Sequence, residues 1–163
     1  MSSISNAEAD ATRRHRRLST SVKDSLRELS VQLSLLNSQV GARLALKEID
    51  VGCLDLITRE GPLSPSALAR RAGLHPATLT GILDRLERGG WIGRDRDPSD
   101  RRAVLVRALR DRNPELFHLY AGMTTTMDEI CAGYSDAELE LLAGFLRRTV
   151  TAGRTATDDL AAG

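Results

Sequence analysis

The sequence has few of the residue types that carry most enzyme and metal chemistry. Its 163 residues include only two cysteines and three histidines, and only 3% of them are aromatic. Two cysteines cannot build a disulfide framework, and the histidines have no metal-ligand spacing to each other or to the cysteines. So few rings also argue against a platform that stacks single-stranded bases. We therefore expect no metal and no cofactor.

Segments typical of enzymes and membrane proteins are also missing from the sequence. There is no phosphate-binding glycine loop, no Gly-x-Ser-x-Gly and no poised nucleophile or acid–base pair, so we expect no enzymatic activity. No apolar run approaches membrane-spanning length, and no signal-peptide pattern follows the start. The composition, 41% hydrophobic and 28% charged, is that of an ordinary globular protein. We expect a cytoplasmic protein with no membrane partner.

Charge is present, and it is unevenly distributed. The net charge is only +1. Residues 70–110 nevertheless contain ten arginines against five acidic residues, whereas residues 111–163 contain four arginines against nine. A basic stretch within a nearly neutral chain is the electrostatic footprint of a nucleic-acid-binding surface.

The basic stretch begins with the pattern of two short helices. Ser64 and Pro65 are a helix cap followed by a first-turn proline, and Gly73 is a stop signal. His75 and Pro76 repeat the same start one turn later. The spacing therefore predicts a helix–turn–helix pair.

The second of these helices has two distinct faces. Leu79, Ile82, Leu83 and Leu86 recur at helical spacing and predict a buried side. The opposite side is small and hydroxylated near its start and basic further along, which suits a helix in the DNA major groove; an ordinary solvated face is the alternative. The first helix start can hold a phosphate. The DNA-binding residues predicted on the two helices are Ser64, Ser66, His75, Ala77, Thr78, Thr80, Gly81 and Arg85.

A charged β-hairpin follows the two helices. Residues 91–94 and 103–109 read as strands, and residues 95–102 read as a polar turn. Arginines at the tip of such a hairpin would be attracted into a narrow minor groove. Because carboxylates repel phosphate, the acidic residues are expected to hold the turn or to pair with the arginines. The predicted DNA contacts here are Arg94, Arg96, Arg101 and Arg102, and the predicted supporting acids are Asp84, Asp97 and Asp100.

Two motifs in this stretch resemble those of a known family. The segment Asp-Arg-Leu-Glu-Arg-Gly-Gly ends the second helix, and Asp-Pro-Ser-Asp-Arg-Arg forms the hairpin turn. Together they resemble the MarR (multiple-antibiotic-resistance regulator) family of transcription factors. The resemblance implies a mainly α fold with a small β-hairpin wing, in which the N- and C-terminal helices form a dimerisation region. It also implies a homodimeric repressor that binds double-stranded DNA at a palindromic operator. Such a repressor would be associated with the nucleoid when it is bound to DNA.

The rest of the chain fits this organisation. A heptad-like apolar seam runs from Leu18 to Leu44, and such a seam needs a partner helix. A second apolar series begins after Asn113. The expected order is a flexible basic arm (1–17), an N-terminal dimerisation helix (18–45), the winged helix-turn-helix domain (46–110), C-terminal dimerisation helices (111–153) and a flexible tail (154–163).

The resemblance further implies one DNA-contacting and one wing-anchoring arginine in the pair Arg101 and Arg102, without assigning them. It implies release from DNA by a small aromatic or anionic effector. The residues proposed for that effector are Arg43, Arg59, His118 and Tyr120.

Two other functions remain open at this point. A thiol-based redox sensor would need a reactive Cys53 or Cys131, although Cys53 lies among apolar positions and is expected to be buried. A winged-helix module that binds a protein would need an acidic or apolar recognition face, and the arginines of residues 70–110 argue against it.

Overall fold

The computed structural model describes residues 2–98, 100 and 103–162, with side chains described between residues 8 and 160. The order of elements is α1 (Ser2–Leu44), α2 (Glu48–Glu60), α3 (Pro65–Ala72), α4 (Pro76–Arg88), β1 (Ile92–Arg96), β2 (Val104–Ala108), a 3-10 turn (Arg110–Arg112), α5 (Asn113–Ala132) and α6 (Asp136–Ala162). None of the helices in these residues has the length and hydrophobicity needed to cross a membrane. The predicted class, mainly α with a two-stranded hairpin, is confirmed.

The chain divides into two compact units, Met1–Gln39 and Val40–Gly163. The first unit consists of the greater part of α1. This helix begins at Ser2, so residues 2–17 of the expected flexible arm are helical instead. That segment has no apolar period, but its alanines, arginines and Glu8 favour a helix by intrinsic propensity alone.

The second unit is built around a core shared by α2, α3, α4 and the hairpin. Leu54, Leu68, Leu79 and Leu86 are at most 2% exposed and pack in this core. Trp91 is 2% exposed and buried at the base of the hairpin. The core therefore fixes one face of each helix and leaves the other free.

The hairpin pairs β1 with β2 in antiparallel register, with Ile92 opposite Ala108 and Arg96 opposite Val104. An isolated antiparallel bridge adds Leu63 to the open edge of β2. Its backbone N–H and carbonyl are hydrogen-bonded to those of Val106, with N···O distances of 3.0 and 2.7 Å. This bridge joins the hairpin to the loop before α3. No sequence signal indicated it.

Local capping follows the sequence closely. The Ser64 hydroxyl accepts a hydrogen bond from the Ala67 N–H at 3.2 Å, and Nδ1 of His75 accepts one from the Ala77 N–H at 3.2 Å. Gly73 adopts a φ of 64°, the left-handed conformation that glycine tolerates best. These contacts confirm the predicted starts of α3 and α4 and the turn between them.

The C-terminal helix α6 extends further than expected. Ser135 and Glu138 form a capping box at the start of α6. However, α6 continues to Ala162 rather than ending near residue 153. Arg154 of this segment donates to Glu60 of α2 at 2.9 Å, a contact between distant residues that local sequence cannot reveal.

Many apolar side chains of α5 and α6 are exposed. Leu116 is 9% exposed, but Phe117 is 61% and Leu146 is 47% exposed. Ile49 of α2 is 42% exposed. Within the described residues, large parts of these apolar side chains therefore remain uncovered in a single chain.

Candidate DNA-binding surface

The outer side of α4 is accessible over its first two turns. His75, Ala77, Thr78 and Thr80 are exposed, as predicted. The Thr80 hydroxyl donates to the Pro76 carbonyl at 3.0 Å, so its lone pairs remain available to a partner. Because Leu79 behind them is 2% exposed, the core holds this row of small side chains outward. The row is narrow enough to approach base edges in a major groove.

Arg85 lies on the same helix but points elsewhere. Its Nε donates to Oδ2 of Asp50 at 3.0 Å, and its Nη2 donates to Oδ1 at 2.6 Å. The pair is bidentate and joins α4 to the first turn of α2. The structure therefore shows this guanidinium bound to a carboxylate in the free protein, which differs from the predicted role as a DNA contact.

Asp50 is an unusual residue because its carboxylate is completely buried. Burial disfavours its charge and raises its pKa. The hydrogen bond from Arg85, the hydrogen bond from the Lys47 N–H at 3.1 Å and the positive charges of both residues act in the other direction and outweigh burial. The net pKa of Asp50 lies below its ordinary value, so the pair is ionised at neutral pH.

The wing is tied to α4 by a second set of ion pairs. Arg94 of β1 lies 2.5 Å from Asp84 and 3.3 Å from Glu87, both on α4. Asp84, one of the predicted supporting acids, thus pairs with Arg94. The guanidinium of Arg94, predicted as a DNA contact, braces the hairpin against α4.

The turn of the wing is organised by its backbone. The Asp97 N–H donates to the Ala103 carbonyl at 3.0 Å, and the Ala103 N–H donates to the Asp100 carbonyl at 2.9 Å. Both predicted acids therefore lie where the turn closes. Arg96 is exposed at the end of β1. The predicted contacts Arg101 and Arg102 lie outside the described residues.

At the start of α3 the serine cluster is preorganised. The Ser64 and Ser66 hydroxyl oxygens are 3.1 Å apart, and Ser66 is exposed. Because Ser64 already accepts from the Ala67 N–H, Ser66 is the hydroxyl better placed to meet a phosphate.

Arg112 binds the C-terminal end of α4, a role that the sequence did not predict. Its Nη1 donates to the Gly89 carbonyl at 2.7 Å, and its guanidinium carbon lies 3.8 Å from the centre of the Trp91 ring. Nε and Nη2 donate to Glu115 at 3.0 and 2.7 Å. This one side chain thus connects the start of α5 with the end of α4.

The four residues proposed for an effector do not line either of two sizeable cavities. A cavity of about 970 Å³ lies between the α3–α4 turn and α6, and one of about 620 Å³ lies between the end of α2 and the end of β2; other residues line both. Arg59 pairs with Asp55 at 2.6 Å. Burial and the charge of Asp55 raise the pKa of Tyr120. Arg43 and His118 are exposed.

Cys53 is a buried thiol with no features of a sensor. It is 1% exposed. Burial, with a smaller contribution from the Asp50 charge, raises its pKa to about 11, so the reactive thiolate is scarce at neutral pH. Within the described residues, no group of three His, Cys, Asp or Glu side chains is arranged to hold a metal ion.

Known proteins share both this sequence pattern and this architecture. The family model of the MarR family matches residues 50–104. The chain is 28% identical over 120 residues to an uncharacterized HTH-type transcriptional regulator, YcgE of Bacillus subtilis, covering 74% of this chain and 78% of that protein. It is 30% identical over 84 residues to the B. subtilis HTH-type transcriptional repressor YetL, covering about half of each, 52% and 50%. The crystal structure of MarR aligns over 81% of this chain and 96% of that chain, with 25% identity and a TM-score of 0.55.

By this match, residues 50–104 belong to the MarR family of transcriptional regulators. The matched segment contains the buried Asp50 as well as α3, α4 and β1. The proposed recognition helix α4 and its ion-pair partners Asp50 and Arg94 thus lie within one matched segment.

We predict that Asp50→Asn destabilises the fold by about 3 kcal/mol at neutral pH. This is the low end for breaking a buried ion pair, because Arg85 is partly exposed and can reach water. The ion pair's contribution is complete above the ordinary carboxylate pKa of about 4. This contribution is lost as the pH falls through the lower pKa that Asp50 has in the folded protein. The Asp50→Asn variant has no such carboxylate, so its free energy of unfolding should not show this loss. Urea denaturation at pH 7 and pH 3 measures both effects.

Asp55→Asn on the same helix is the matched control. Its exposed pair with Arg59 is expected to contribute less than about 1 kcal/mol. Equal destabilisation by the two substitutions would contradict the role assigned to Asp50.

We also predict that Cys53 does not react with a thiol reagent in the native protein. In a Cys131→Ser variant, labelling at pH 8 should be absent without denaturant and should reach one equivalent in urea, because burial protects the thiol. Stoichiometric labelling of the native variant would instead support the redox-sensor alternative.

Proposed function

We propose that this regulator is a homodimeric repressor that binds an inverted-repeat operator. The observation that carries the proposal is the exposed row of His75, Ala77, Thr78 and Thr80 on α4, held outward by the core. A twofold dimer places two such helices in successive major grooves about 34–36 Å apart. Such a dimer recognises a site with the same symmetry. The repressor assignment is supported by the similarity to YetL.

The contacts divide into three groups by chemistry. The start of α4 faces base edges, with Gly81 allowing close approach of the backbone. Ser66 and the first turn of α3 meet phosphate. Arg96 and one arginine of the pair Arg101 and Arg102 enter the minor groove, where negative potential attracts them.

Arg85 and Arg94 act as positioning residues in this proposal. Arg85 fixes α4 against α2 through Asp50, and Arg94 fixes the wing against α4 through Asp84. Their charges are already compensated in the free protein. Their contribution to affinity therefore comes from keeping helix and wing in a single arrangement.

Dimerisation is supported by apolar side chains on both terminal helix groups. In α1 the seam residues Leu18 and Leu29 are 57% and 43% exposed, and in α6 Leu142 and Val150 are 41% and 53% exposed. Rows of exposed large apolar residues mark interaction surfaces. The regular spacing of the seam favours pairing with other helices, and a second copy of this chain supplies them.

The proposal predicts salt-dependent binding to the DNA upstream of the protein's own coding region. Affinity is measured by fluorescence anisotropy across a salt series, and analytical ultracentrifugation should give two chains per duplex. Replacing Arg101 and Arg102 together by alanine should make the plot of log affinity against log salt shallower by about 1.8 units, because a dimer with one DNA-contacting arginine of this pair in each chain loses two contacts of about 0.9 each.

A double alanine variant at Arg147 and Arg148, two exposed arginines of α6, is the matched control and should keep the wild-type slope. A wild-type slope in the wing variant would contradict the role of the wing. A single chain per duplex would contradict the dimer.

A further inference from the structure

The N-terminal part of α1 carries a concentrated positive charge that the winged module does not use. Between residues 11 and 23 there are four arginines and one lysine and no acidic residue. The four arginines, Arg13, Arg14, Arg16 and Arg17, are all exposed. Arg13 is the member of the group with an ion pair, to Asp10 at 2.6 Å.

The helix places these arginines on one face. At about 100° per residue, the four Cα–Cβ directions fall within an arc of about 160°. The seam residues Leu18, Val22, Leu29 and Leu33 point to the opposite side of the same helix. We call the arc formed by the four arginines the basic face of α1.

Because the seam and the basic face are opposed, dimerisation through the seam leaves the basic face open. The chemistry of that face matches phosphate: arginine presents a planar fork of donors that binds phosphate with two hydrogen bonds, whereas lysine is a single point charge. The four arginine positions are also fixed relative to one another, because the helix continues without a break from Ser2 to Leu44.

A membrane surface is a poorer partner for this segment. An amphipathic helix that lies on a bilayer inserts its apolar side into the lipid and keeps its basic side toward the headgroups. Here the apolar side is the seam that the proposed dimer buries. Leu18 and Val22 cannot serve a bilayer and a partner helix at the same time.

We propose that the basic face of α1 is a second, sequence-independent DNA-binding surface, which contacts the phosphates of DNA beyond the operator core. This inference rests on the proposed function, because it requires a dimer that is already positioned on DNA. Its role is to raise affinity and association rate through phosphate neutralisation, with no base readout.

The test compares two matched double variants, Arg16→Gln/Arg17→Gln on α1 and Arg147→Gln/Arg148→Gln on α6. Each removes two adjacent, exposed arginines from a helix. The DNA is a duplex that extends about two helical turns beyond the inverted repeat on each side. The Arg16/Arg17 variant should lose about 3.6 units of salt slope, because the dimer loses four contacts of about 0.9 each, and the Arg147/Arg148 variant should lose none.

Circular dichroism and sedimentation check that both variants remain helical and dimeric. A wild-type slope in the Arg16/Arg17 variant would overturn the inference. The inference would also be overturned if the Arg16/Arg17 variant bound DNA as the wild type does but no longer bound vesicles containing a quarter phosphatidylserine. That result would assign the basic face of α1 to membranes. If the wild type itself showed no salt-dependent binding, the proposed function would fail first, and this inference would fail with it.

Discussion

The buried ion pair between Asp50 and Arg85 is the contact on which the DNA-binding surface depends. A charge with no solvent exposure is tolerated only when its oxygens are fully paired, and here Arg85 and the Lys47 N–H supply the partners. The geometry leaves little freedom, because the arginine fork fits the carboxylate in a single plane. The middle of the recognition helix is therefore held at one distance and one rotation relative to α2.

Two further arginines extend this constraint. Arg112 holds the end of α4 through the Gly89 carbonyl and covers the Trp91 ring, and Arg94 joins the wing to Asp84. The arginines with compensated charge thus brace the module, whereas the small and hydroxylated residues at the start of α4 face outward. Because Arg112 lies immediately before α5, its side chain links the start of the C-terminal helices to the end of the recognition helix.

Local sequence signals predicted much of this structure. The caps at Ser64, His75 and Ser135 act within three residues, and the apolar period of α4 reports its buried face, so both are readable from the sequence. The partner of Arg85 is 35 positions away, and nothing local in the sequence distinguishes an arginine that binds Asp50 from one that binds DNA. The N-terminal extension of α1 was missed for a different reason: its helix is encoded by propensity rather than by an apolar period.

A double-mutant cycle of operator affinity on Asp50→Asn and Arg85→Gln tests the positioning role most directly. All four proteins are compared at a temperature at which each is folded. If Arg85 acts through Asp50, both single variants weaken binding by similar factors, and the double variant is no weaker than either. If Arg85→Gln weakens binding while Asp50→Asn leaves it unchanged or strengthens it, Arg85 contacts DNA directly and its positioning role through Asp50 is wrong.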